Sequence, residues 1–307
     1  MTVTRVLAFD DEHDPAAALA RALGVPMSLI ERHRFPDGES RLRLPNALQG
    51  GVVIWRGLHQ PNEKLVELLI AAPAARELGA RRLLLACPYL CYMRQDIAFR
   101  PGEAVSQRHI GRLLAQCFDL IVTVDPHLHR VGSLDAVLPG SRGLALSAAG
   151  LLGAWAAGRV PDPLLLGPDD ESAPWVRQAA RSGAAATGRP TPLDHGWCRK
   201  RRTGDHEVRV ALPSGLSFAG RAVVLIDDVA STGHTLAEAA SRCLRAGATS
   251  VDVAVTHALF VDDAPGVLAR SGVRSVWSTD CVPHPSNVVS VVPMLAETIG
   301  LAAAGVA

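Results

Sequence analysis

Lysine is nearly missing from this chain. Of 31 basic side chains in 307 residues, only Lys64 and Lys200 are lysines, and the remaining 29 are arginines. The two residue types are not interchangeable where a compact, mobile ammonium is wanted, so both lysines stand out. Aromatic residues are scarce as well, 4% against 48% hydrophobic residues, so the cores must be built from Leu, Val, Ile and Ala. No apolar run is long enough to span a bilayer, and the opening MTVTRVLAFDDEHD has no positive stretch ahead of an apolar core, so no signal peptide is expected. The formal net charge is +1, with no basic stripe and no acidic tail, which argues against nucleic-acid or membrane partners. Six cysteines are scattered along the chain. Cys87 and Cys91 lie four apart, but no second Cys or His pair completes a zinc site. Reduced, buried thiols in a cytoplasmic protein are the expectation.

Short apolar runs alternate with segments of helical period. Strands are predicted at residues 51–55, 82–87, 120–125, 163–167, 222–227 and 250–257, and helices at 62–78, 106–117, 172–180 and 235–246. Such alternation predicts an α/β protein of parallel sheets flanked by helices, with its functional loops at the carboxyl ends of the strands. The pattern runs twice. The length suits two domains, placed at residues 1–146 and 147–307, with the last segment packing back on the first domain. The Gly/Ala-rich stretch 144–158 reads as the junction and 182–192 as a loop. The polar, basic stretch GWCRKRRTGDH at 196–206 reads as a mobile surface loop.

The segment VVLIDDVASTGHT at residues 223–235 carries the most chemistry. A buried strand ends in Asp227 and Asp228. Ser231, Thr232 and Thr235 offer hydroxyls, Gly233 permits close backbone approach or positive φ, and a helix opens at His234 and Thr235. The amides of a helix start form an anion site. Two carboxylates one strand end away can hold a diol directly or through Mg²⁺. Phosphate amides beside a diol-binding acid pair match a ribose 5-phosphate moiety.

This loop resembles that of the type I phosphoribosyltransferases and of ribose-phosphate diphosphokinases. RFPDGES at 34–40, QPNEKLVELL at 60–69, CPYLCYMRQD at 87–96, TVDPHL at 123–128, VTHALF at 255–260 and STDCVPHP at 278–285 all resemble the diphosphokinases, in their order and at about their spacing. The resemblance implies two tandem type I phosphoribosyltransferase-like domains, each a mostly parallel sheet flanked by helices. It implies transfer of the β,γ-diphosphoryl group of ATP to the anomeric hydroxyl of ribose 5-phosphate, with Mg²⁺, in a homo-oligomer (dimer or hexamer) whose ATP site spans a subunit interface. Another pentose phosphate acceptor and a non-catalytic, synthetase-associated subunit are the alternatives. Residue by residue, it implies ATP contacts from Phe35, Asp37 and Glu39, donated by a neighbouring subunit, and from Arg94, Gln95, Asp96 and Arg100. It implies ribose 5-phosphate contacts from Asp227, Asp228, Ser231, Thr232, Gly233, His234 and Thr235, and metal or triphosphate contacts from His127. Asp169 would hold a metal or ribose hydroxyls. Lys200 and Arg202 would lie on a loop that closes over the reacting phosphate. The segment GPDDES at 167–172 departs from the SPDVGG of common bacterial members: Glu171 and Ser172 stand where glycines do, adding bulk and charge beside the sugar. Lys64 is expected to be a helix-face charge.

Overall fold

The computed structural model describes residues 2–202 and 208–305. The chain forms two compact units, Met1–Leu146 with Val291–Ala307, and Ser147–Ser290. Unit 1 runs β1 (Val3–Ala8), α1 (His13–Leu23), β2 (Met27–Leu29), β3 (Glu31–Arg34), β4 (Ser40–Arg43), β5 (Gly51–Trp55), α2 (Pro61–Glu77), β6 (Arg82–Cys87), α3 (Ser106–Cys117), β7 (Leu120–Val124) and β8 (Arg142–Leu146). Unit 2 runs α4 (Ala149–Arg159), β9 (Leu164–Gly167), α5 (Ala173–Ala186), β10 (His195–Trp197), β11 (Arg199–Arg202), β12 (Val208–Ala211), β13 (Ala222–Ala230), α6 (His234–Arg245), β14 (Ser250–Ala258), α7 (Ala264–Arg270), β15 (Val273–Thr279) and β16 (Asn287–Val289). The last helix, α8 (Val292–Ala304), returns to unit 1 and packs on α1.

Each unit is built on a six-stranded parallel sheet, β2-β1-β5-β6-β7-β8 in the first and β10-β9-β13-β14-β15-β16 in the second. A parallel sheet covered by helices on both faces needs strands that are apolar throughout. GVVIW in β5 and LIVTV in β7 are buried at every position. In unit 1 one face packs Leu7, Ile54, Leu85 and Ile121 against Leu68 and Ala72 of α2 and Leu114 of α3. In unit 2 the two faces of the sheet feed separate clusters, one around Val223, Leu225 and Val253, the other around Leu165, Val224 and Ile226.

Several boundaries differ from expectation. The boundary between the units falls inside the stretch 144–158, between Leu146 and Ser147, but the stretch is structured: β8 ends at Leu146 and α4 starts at Ala149. Helix α5 runs on to Ala186, into the first part of the small-residue stretch read as a loop, because alanines propagate a helix once its buried face (Val176, Ala180, Ala184) is anchored. The stretch 196–206 holds the end of β10 and all of β11, which pairs antiparallel with β12 from Arg199↔Ala211 to Arg202↔Val208; residues 203–207 lie outside the described residues. Its RKRR composition gives no apolar alternation to betray a strand. Finally, β13 continues three residues past Asp227, so the two aspartates lie within the strand and not beyond its end.

Candidate active site

In unit 2 the loop from β13 to α6 is set by its backbone. Ala230 O accepts from the amides of both Leu259 and Phe260, and Ser231 O from Val261, tying the loop to the end of β14. Gly233 is the N-cap of α6 at φ +74°, a left-handed conformation that L side chains rarely adopt. No side chain caps this helix, whose first-turn amides and dipole therefore present an anion site. Thr232 and His234 are exposed, and Ser231 and Thr235 half-buried, around that start. Asp228 is buried and donates its amide to the Asp227 carboxylate at 3.1 Å.

The neighbouring strand β9 ends in the Pro168–Ser172 turn. Asp169 caps it, its carboxylate accepting from the Glu171 amide at 3.1 Å. Ser172 turns inward: it is buried, its hydroxyl donates to Asp169 O at 2.6 Å, and it fills the space over Gly167, where a Cβ would lie 2.0 Å from Ser172 Oγ. The expected bulk beside the sugar therefore does not come from Ser172, while Asp170 and Glu171 are exposed. Lys200 and Arg202 have their backbone in β11; their side chains lie outside the described residues.

In unit 1 the β3–β4 hairpin is a separate two-stranded sheet. Its tip is tight: Phe35 and Glu39 pair backbone to backbone at 2.8 Å, Gly38 takes φ +94°, and the Asp37 carboxylate accepts from the Glu39 amide at 3.1 Å. Phe35, Asp37 and Glu39 are all exposed. Asp37 and Glu39 line a cleft of about 530 Å³ with Arg34, Glu63, Val66 and Ile70, the last two being exposed apolar residues on α2. In the loop after β6, Gln95 Oε1 accepts from the Ser106 amide at 2.5 Å, and Asp96 is buried against Arg130 at 2.8 Å. These two side chains shape the loop, and Arg94 and Arg100 are exposed on it. His127 follows β7, half-buried, its ring edge-on to His129 at 4.0 Å between centroids. Among the described residues, five that are not glycine have positive φ. Three of these, Gln60, Tyr92 and Asp125, sit in the loops after β5, β6 and β7. Left-handed backbone persists where surrounding structure enforces it, commonly at ligand sites.

Sequence reasoning missed a buried charged cluster beside these loops, and Lys64 belongs to it. Lys64 is 8% exposed, so it is no surface charge; its ammonium donates to Gly57 O at 2.7 Å and lies 3.9 Å from Glu12. Arg56, 1% exposed, donates to Asp11 at 2.7 Å and Glu12 at 2.9 Å, and pairs closely with Glu67. The Gly57 amide donates to Glu12 at 2.8 Å, and the Arg56 guanidinium stacks over Phe9 at 4.3 Å. Burial pushes Asp11 up, but Arg56, Arg32 and Lys64 outweigh it and hold the carboxyl below its usual value. Burial wins at Glu12, raising it despite Lys64 and Arg56. Asp11, Arg56, Lys64 and Glu67 line a cleft of about 690 Å³ together with Arg32, Arg34 and the start of α2.

Burial, helped by the Lys64 and Arg56 charges, pushes the nearby His59 from 6.5 down to about 4. The unfolded chain takes up a proton below pH 6.5 that the folded chain rejects, so this contribution to stability is complete above pH 6.5 and is lost as pH falls toward 4. Thermal melts across that window should show a loss of up to ~1.4 kcal/mol per pH unit from this group. His59→Gln should remove that part of the slope; an unaltered slope contradicts the assignment.

Residues 4–117 match the family model of the N-terminal domain of ribose phosphate pyrophosphokinase, and residues 149–291 match the phosphoribosyl transferase domain. A ribose-phosphate pyrophosphokinase of Methanopyrus kandleri is 38% identical over 285 residues, covering 92% of this chain and 93% of the relative. One from Halobacterium salinarum is 33% identical, covering 92% and 96%. The crystal structure of phosphoribosylpyrophosphate synthetase from Mycobacterium smegmatis aligns with a TM-score of 0.80 at 25% identity, covering 99% of this chain and 100% of that one. The hairpin tip, the loops after β6 and β13 and the two parallel sheets thus fall within a likeness that spans nearly the whole sequence, and the chain belongs to the ribose-phosphate pyrophosphokinase family.

Proposed function

We propose that this enzyme moves the β,γ-diphosphoryl group of ATP onto the anomeric oxygen of ribose 5-phosphate, releasing AMP, and that the residues named from the sequence do the work. The observation that carries the reading is full-length: the ATP-type motifs lie in one unit and the ribose-phosphate loop in the other, within a family match covering 92% of the chain. The 5-phosphate sits on the amides of the Thr232–Thr235 turn, with Ser231, Thr232 and Thr235 hydroxyls adding donors. Asp227 and Asp228 hold the sugar hydroxyls. Phe35 packs on the nucleotide base, Asp37 and Glu39 bind its sugar, and Arg94, Gln95, Asp96 and Arg100 complete the nucleotide site. The exposure of Phe35 at the hairpin tip, and of Val66 and Ile70 in the cleft shared with Asp37 and Glu39, supports donation of the hairpin to a neighbouring copy in a homo-oligomer. Phosphoryl transfer demands positioning and cationic clamps more than covalent help. The β-phosphorus is attacked by the O1 hydroxyl, the bond to the α-phosphate oxygen breaks, and Lys200 and Arg202 stabilise the charge on the transferring group.

The carboxylates at the unit 2 strand ends are hard oxygen donors of the kind Mg²⁺ takes while keeping waters and phosphate oxygens. Asp169 and, in unit 1, His127 are the residues proposed to hold Mg²⁺ or the Mg²⁺-bound triphosphate. Bound Mg²⁺ would neutralise the phosphate oxygens during transfer.

A panel of pentose phosphates with ATP and Mg²⁺, scored by AMP release, tests the acceptor. Ribose 5-phosphate should exceed ribose 1-phosphate and ribose 1,5-bisphosphate, and preference for either of those would overturn the assignment. Gly233→Ala should raise KM for ribose 5-phosphate about tenfold, because forcing a Cβ into left-handed backbone costs roughly 1–2 kcal/mol and the alternative is to turn the phosphate amides away. KM for ATP should stay put. A variant with both constants unchanged contradicts the role of this turn.

A further inference from the structure

The two units repeat each other strand for strand. Their sheet orders are identical with the numbering displaced by eight. The registers Leu7↔Ile54 and Leu166↔Leu225 then fix equivalent positions. The turn after β1 reads FDDEHDP and the turn after β9 reads PDDESAP, so Asp10, Asp11 and Glu12 match Asp169, Asp170 and Glu171. The same register puts Arg56 where unit 2 has Asp227 and Gly57 where it has Asp228. Unit 1 thus keeps the acids of the first strand end and replaces the acid pair of the second by a buried arginine and a glycine.

The outcome of that exchange is visible in the ion pairs. Arg56 closes onto Asp11, Glu12 and Glu67. Glu67, 1% exposed, divides its two oxygens: Oε2 takes Arg56 and Oε1 takes Arg32 of β3 at 2.6 Å. Arg32 also donates to Asp10 at 3.0 Å. The hairpin β3–β4 shares no ladder with the main sheet, and an isolated two-stranded hairpin is marginal by itself. Leu42 and Ile30 hold its base in the core. Its charged tie to the sheet is the chain Arg32–Glu67–Arg56, with Arg34–Glu63 at the rim.

We propose that the degenerate sugar site of unit 1 has become a positioning device: Arg56, Glu67 and Arg32 set where the β3–β4 hairpin presents Phe35, Asp37 and Glu39 to ATP. The proposal rests on the reading of those three residues as nucleotide contacts. Arg32 is a positioning residue. Its guanidinium is engaged by Glu67 and Asp10, and the apolar base of the hairpin remains when it is removed.

Steady-state kinetics on the full-length enzyme test both layers. Arg32→Gln should raise KM for ATP about tenfold while kcat and KM for ribose 5-phosphate stay within about twofold, the pattern of lost binding without lost transition-state chemistry. Arg32→Lys, which keeps one charge toward Glu67, should fall about threefold above the parent; it carries the test if the glutamine variant does not accumulate. Phe35→Ala and Asp37→Ala serve as controls. If they raise KM for ATP and both Arg32 variants do not, the positioning proposal is wrong and the nucleotide reading stands. If they leave KM for ATP unchanged, the nucleotide reading fails and takes the proposal with it. A parallel loss in every constant together with a lowered Tm marks Arg32 as merely structural and also overturns the proposal.

Discussion

Lys200→Ala is expected to lower kcat about a thousandfold, with KM for either substrate changing less than about threefold. The reasoning starts from composition. A chain that writes 29 of its 31 basic residues as arginine keeps lysine at Lys200, next to Arg202 in the strand β11 that pairs with β12. A compact ammonium on a hairpin can follow a transferring phosphoryl group where a planar fork fits less well. An interaction made mainly in the transition state appears in kcat and kcat/KM together. Rapid-quench measurement of AMP formation checks the prediction. A variant that retains a tenth or more of the parent kcat, or whose loss is confined to KM, would show that this charge serves ground-state binding alone.

The second large effect concerns stability. Arg56→Ala should destabilise the fold by about 3–5 kcal/mol, because it removes a shared charge partner and leaves the buried Glu12 with Lys64 at 3.9 Å and the buried Glu67 with Arg32 at 2.6 Å. Both carboxyl groups are almost wholly enclosed, at 6% and 1% exposure. Arg56→Ala with Glu67→Gln should recover part of the loss, since the second change removes one of the stranded charges. Denaturant titration reads both. A single variant within 1 kcal/mol of the parent, by the scale of ordinary surface substitutions, would mean that water replaces the guanidinium and that the cluster is no buried network.

How much of this was legible in the sequence depended on whether the signal was local. The strands Gly51–Trp55 and Arg82–Cys87 and the helix Ser106–Cys117 fall where the apolar pattern predicted them, since burial on both faces leaves an uninterrupted run. The ribose-phosphate loop was legible because its acids, hydroxyls and Gly233 all lie within thirteen consecutive residues. The hairpins escaped because ERHR and SRLR bury little and RKRR is charged at every position, leaving no apolar alternation. The cluster around Arg56 escaped for another reason. Its partners Asp11 and Glu12 lie 45 and 44 residues away, and nothing local marks Arg56 as buried. One signal was nonetheless present: the repeat of FDDEHDP in PDDESAP ties the first strand end of each half together, and with it the position of Arg56 to that of Asp227. Glu67, set between Leu65 and Leu68 on the core side of α2, was a second such signal.

The account stands most directly on which phosphorus is attacked. Phosphorus NMR of the enzyme turning over ATP and ribose 5-phosphate with Mg²⁺ distinguishes the outcomes in one tube. Attack at the β-phosphorus should give AMP and a new sugar diphosphate in equal amounts, with no ADP. Formation of ADP and a sugar bisphosphate, or hydrolysis of ATP that ignores the sugar, would contradict it.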